Sequence, residues 1–157
     1  MSWRQQPGPA RPIAAAAVEA VAAARAAEPD GFAAACARLG ALDPAQLRRV
    51  LGTVVRALLE DLHPDGLDGD DLQVALERCA GWARPWWPAV DPMGVGLLLL
   101  GAFGVQPEED ADPPPAGELA VHAVLLVADL LTARGAALDG YLDRAFTDIA
   151  YAEDTGP

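Results

Sequence analysis

The run ELAVHAVLLVADLLTARG, residues 118–135, restricts the fold more than any other part of the chain. Apolar residues recur in it at helical spacing and also fill most positions in between, so the helix it forms is apolar on nearly every side. Such a rod cannot lie on a wet surface and needs a ring of other helices around it.

The rest of the sequence supplies that ring. PAQLRRVLGTVVRALLEDLH, residues 44–63, carries Leu47, Val50, Leu51, Val54, Leu58 and Leu62 on one stripe, with Arg49, Thr53, Arg56 and Glu60 opposite. That is the pattern of a half-exposed helix. Further helices are predicted over residues 12–27, over a short stretch capped by Asp30 and ended by Gly40, over residues 71–82, and over a last segment with Leu138, Leu142, Ala145 and Ile149 as its stripe. Asp43 with Pro44 and Asp91 with Pro92 are paired cap and first-turn signals. PMGVGLLLLGAF, residues 92–103, is a second helix apolar on all sides. It is too short to span a bilayer and is expected in the core.

No strand alternation and no internal repeat interrupts this pattern, so the expected fold class is all-α: a single-domain bundle of six or seven helices packed around apolar central helices. A chain of 157 residues is long enough for one such core without covalent staples. The expected division is an N-terminal tail over residues 1–11, one helical domain over 12–153 with an acidic proline-rich loop at 106–117, and a C-terminal tail over 154–157. Arg4 and Arg11 ahead of IAAAAVEAVAAA have the outline of a signal peptide, but Glu19 breaks the run. An alanine-rich helix in a cytoplasmic protein is the better reading.

Composition removes several kinds of chemistry. The chain has no Lys, and its only Ser is Ser2, so a lysine Schiff base, a phosphate-loop lysine and an internal serine nucleophile are excluded. Residues 1–60 hold seven Arg against five acids, and residues 61–157 hold four against eighteen, for a net charge of -12. No basic face suited to nucleic acid emerges, and the acidic half repels anionic membranes. Cys36 and Cys79 each share a face with apolar helix positions and read as buried free thiols.

Two motifs imitate ligand sites. EDLHPDGLDGDDLQ, residues 60–73, resembles a calcium loop in outline. A loop started at Asp68 puts Leu72 and Cys79 where oxygen ligands belong, and one started at Asp65 puts Leu67 and Gly69 there. A turn followed by a capping box of Asp70 with Gln73 accounts for the residues better. Zinc lacks any close ligand pair, because the two Cys lie far apart and so do His63 and His122. Gly94, Gly96 and Gly101 match neither phosphate-loop spacing. No cofactor and no metal is expected.

Two places remain as candidate sites. Arg84, Trp86 and Trp87 in GWARPWWP combine residue types enriched at protein interfaces with a proline-stiffened turn, and adjacent indoles cannot both point into one core, so one of them is expected to be partly exposed. Glu118, His122 and Asp129 form the only polar lane on the apolar rod. They line either its solvent side or a ligand pocket. The expected function is that of an acidic accessory or regulatory protein acting through contact with another protein, with homo-oligomerisation compatible and an enzyme disfavoured. The alternative is a small-molecule binding or sensing domain built on the polar lane.

Overall fold

Proline directly after aspartate fixes where two of the helices begin. Asp43 accepts hydrogen bonds from the backbone N–H groups of Ala45 and Gln46, and Asp91 accepts one from Met93, while Pro44 and Pro92 occupy first-turn positions that need no N–H. The computed structural model of the chain describes residues 2–5, 8, 10–105 and 115–155. Among them lie a 3-10 turn at Trp3–Gln5 and seven helices: α1 Ala10–Arg25, α2 Pro29–Gly40, α3 Pro44–Leu62, α4 Gly69–Ala83, α5 Pro92–Phe103, α6 Ala116–Arg134 and α7 Leu138–Thr155. The fold is an all-α bundle with no strand among the described residues.

The predicted rod is α6, and it is central. It touches α1, α2, α3, α4 and α5, and Val124 to Ala128 are all fully buried. By length and composition α6 could also cross a membrane; here 67% of its apolar window is buried inside the bundle. Each fully buried Leu or Val contributes about 1.5–3 kcal/mol, so no other helix adds as much to the core. Alanine lets α1 come close: Ala14, Ala17, Ala20 and Ala24 are fully buried where α1 packs on α2 and α6. The α3 stripe is buried as far as Leu58, with Leu62 half-buried at its end.

Trp3 ties the N-terminal segment to α7. Its backbone N–H donates to Asp143 at 2.6 Å and its indole N–H to Asp139 at 2.9 Å, with the Arg4 guanidinium 4.6 Å from the ring. Of the tails expected at 1–11 and 154–157, residues 1, 6, 7, 9, 156 and 157 lie outside the described residues, and α1 starts at Ala10 rather than at Pro12. The acidic connection at 106–117 also lies outside them, apart from Pro115 and the start of α6.

Three local expectations shift. The N-cap of α2 is Glu28, with no side-chain cap bond, because Pro29 takes the first helical position and leaves Asp30 inside the first turn. The capping box before α4 pairs Asp68 with Asp71, each side chain accepting the other's backbone N–H at 2.9 and 3.0 Å, two residues earlier than Asp70 with Gln73. A carboxylate at the third helical position can thus complete the box where Glu or Gln is usual. The third concerns α5. It buries only Val95 and Leu99 fully and leaves its other side open, although its composition alone would place it in the core.

Candidate functional site

The polar lane of α6 divides between solvent and core. His122 and Asp129 are buried, 8% and 7% exposed, while Glu118 at the start of the helix is exposed. The Asp91 backbone N–H can only donate, so His122 Nε2 accepts from it at 3.0 Å. His122 Nδ1 therefore carries the proton and donates to the Glu118 carbonyl at 2.8 Å. Both ring nitrogens are satisfied, and the imidazole pins the start of α5 to α6. Gly94 lets the two helices approach closely there, since an added Cβ would lie only 3.1 Å from the His122 ring.

Asp129 anchors α4 in the same way. Arg78 places Nε and Nη2 each 2.9 Å from Asp129 Oδ2, and its partly exposed guanidinium covers the carboxylate. Burial raises the Asp129 pKa above the usual 3.8, with the Arg78 charge and hydrogen bonds opposing it. Desolvation prevails because the carboxylate sits among apolar helix faces. The lane is thus a docking strip for two neighbouring helices, each of which covers one of its polar groups.

The tryptophan turn also packs inward. Trp86 and Trp87 both meet the buried Phe32 ring edge-on, at centroid separations of 5.2 and 4.8 Å, and Trp82 meets Trp86 at 5.5 Å. Each indole of the adjacent pair stays partly exposed, where this was expected of one of them. The turn after α4, closed by bonds from the Trp86 and Trp87 N–H groups to the Ala83 carbonyl, lets both rings reach one partner. Both remain half-buried and Arg84 is exposed. Trp86 Nε1 is buried with no hydrogen-bond partner, the one such side-chain atom among the described residues.

The thiols are unsuited to nucleophilic work. Burial pushes Cys36 and Cys79 up to about 12, and both are free. His63 lies beside Asp71, 3.7 Å from its carboxylate, rather than in a described pair with either thiol. Among the described residues, no group of three or more His, Cys, Asp or Glu side chains converges on a point that could hold a metal.

The outward side of α5 is the most unusual surface. Met93, Leu97, Leu100 and Phe103, with Val105 just beyond, are 41–72% exposed. Met93, Leu97 and Leu100 fall within a sector of about 60° on the helix. No charged residue lies between Pro92 and Phe103. At its C-terminal end the stripe runs into an open cleft of ≈ 370 Å³ that Phe103 and Gly104 share with Arg56, Glu60 and His63. A second cleft of ≈ 500 Å³, between α3 and α7, continues from Arg56 to Arg49 and Arg144. Neither cleft is lined by Glu118, His122, Asp129 or the tryptophans.

Sequence reasoning missed this face because an all-round apolar helix reads as core. The available signal was that the longer run at 118–135 already claims the centre. Comparison of the chain with protein-family models, with curated proteins and with solved structures finds no match.

Proposed function

We propose that this chain is an acidic, cytoplasmic, helical accessory or regulatory protein that acts by binding an apolar protein surface, and that the outward side of α5 is its contact face. The observation that carries this reading is the exposed stripe of Met93, Leu97 and Leu100, flanked by Phe103 and Val105. Contiguous apolar surface of this kind is the usual mark of an interaction site, whereas scattered single exposures are not. The Trp-Pro turn with Arg84, Trp86 and Trp87 has less support as the contact, because its indoles already close the bundle against Phe32. The small-molecule alternative has less support as well: His122 and Asp129 are engaged by Asp91 and Arg78.

A photo-crosslinking residue placed in cells at position 97, and separately at positions 86 and 87, tests the assignment. Adducts of defined mass formed from position 97 are expected. Adducts from 86 or 87 with none from 97 would move the contact face to the Trp-Pro turn.

A further inference from the structure

We infer that the surface covering α5 is a second copy of this chain, docked α5 against α5 in antiparallel register across a two-fold axis. This rests on the reading of the α5 face as a protein contact. A two-fold interface must be self-complementary, with each residue meeting its counterpart reciprocally. The stripe satisfies that condition. Antiparallel pairing about a point between Leu97 and Leu100 sets these two side chains against each other at the centre and carries Met93 towards the C-terminal end of the partner helix, which Gly104 caps.

Charge favours the same arrangement. The chain as a whole is strongly acidic, yet α5 carries no charged side chain, so two copies meet there without juxtaposing like charges. Antiparallel register also brings the N-terminal end of one α5, with exposed Asp91, towards the C-terminal end of the other, where exposed Arg56 lines the cleft beside Phe103 together with Glu60, so Arg56 is the group there that can face Asp91 favourably. Opposed helix dipoles add to this in the same direction.

Five exposed apolar side chains per copy make a small face, which puts a dimer near the lower limit of specific interfaces. A reversible, concentration-dependent dimer follows, in which each copy is folded before it associates. Sedimentation or light scattering on the full chain over roughly a hundred-fold concentration range should show a rise from the 16.3 kDa monomer towards twice that mass. Leu97→Glu should weaken association at least ~10-fold, since it buries two like charges at the centre. Arg56→Glu should weaken it several-fold.

Melting temperature separates association from folding. It should rise with concentration for the wild type and stay constant for Leu97→Glu, and the two should coincide at the lowest concentration. A wild-type mass that stays at 16.3 kDa throughout, or a dimer that survives Leu97→Glu, overturns the inference. In either event, crosslinks from position 97 to a different protein keep the α5 contact face and remove only the self-pairing. Absence of any crosslink from position 97 removes both.

Discussion

Helices α5 and α6 have nearly the same chemistry and opposite surroundings. Both are apolar on all sides, yet twelve residues of α6 are buried and only two of α5 are. A bundle of this size has one axis that can be surrounded. The 19-residue helix occupies it, and the 12-residue helix packs on the outside against α3, α4 and α6. The two buried polar residues of α6 do not contradict its position, because each is covered by a neighbour: His122 by the start of α5 and Asp129 by Arg78. An apolar surface exposed on α5 and a polar lane buried on α6 are two results of the same packing.

The comparison is open to direct attack. Leu126→Ala, at a fully buried α6 site, should cost about 3–5 kcal/mol in urea unfolding. Leu97→Ala, 57% exposed on α5, should stay within about 0.5 kcal/mol at concentrations where the chain is monomeric. Equal losses at the two sites would show that α5 is as enclosed as α6.

Two α5 glycines sharpen the contrast within one helix. Gly94→Ala drives a methyl group onto an imidazole held by hydrogen bonds at both nitrogens, so a loss of about 1–3 kcal/mol is expected. Gly101→Ala meets no atom and should raise monomer stability by up to about 1 kcal/mol, read from the same unfolding curves. Losses at both positions would mean that the outer side of α5 is not free in the monomer.

The pH dependence of the melting temperature should separate two aspartates of opposite sign. Burial raises the pKa of Asp129 on α6, so the folded state binds its proton more tightly than the unfolded chain does. Its contribution is fully present below the usual 3.8 and is lost as pH rises through the raised value. Asp61 behaves conversely. Hydrogen bonds from Tyr141 and Arg144, at 2.6 and 2.7 Å, lower its pKa, so its contribution is present above the usual value and is lost as pH falls through the lowered one. Asp129→Asn should flatten the first trend and Asp61→Asn the second. A melting profile unchanged by Asp129→Asn would show that the α6 lane is wetter than its burial implies.

A small effect is expected at the tryptophan turn. Trp86→Phe removes a buried N–H that has no acceptor, which offsets part of the lost ring area, so the net change should fall within about 1 kcal/mol. Trp3→Phe gives up the bond to Asp139 and should cost more. A larger loss at Trp86 than at Trp3 would point to an acceptor for the Trp86 indole.

Signals carried by neighbouring residues were readable in the chain itself. Asp43 with Pro44, Asp91 with Pro92 and the left-handed Gly135 after α6 mark helix ends because a cap bonds only to residues two to four positions away. The sequence pattern pointed to Asp30 and Asp70, each two residues past the cap that forms, because Pro29 starts α2 and Asp71 completes the box with Asp68. The fate of the polar lane was beyond reach for a different reason. The partners of His122 and Asp129 lie 31 and 51 residues away, and periodicity carries no information about which helix will cover which turn.

By itself the sequence determined that the chain forms helices, where most of them start and stop, and that the run at 118–135 must be surrounded. Those outcomes depend on local hydrogen bonding and on the 3.6-residue period of apolar side chains. Only the tertiary structure decided that α5 would be left with a bare apolar side and that His122 and Asp129 would be consumed as anchors. Both outcomes depend on which helix wins the single enclosed position in the bundle, and that competition is settled by the area each can bury against all the others at once.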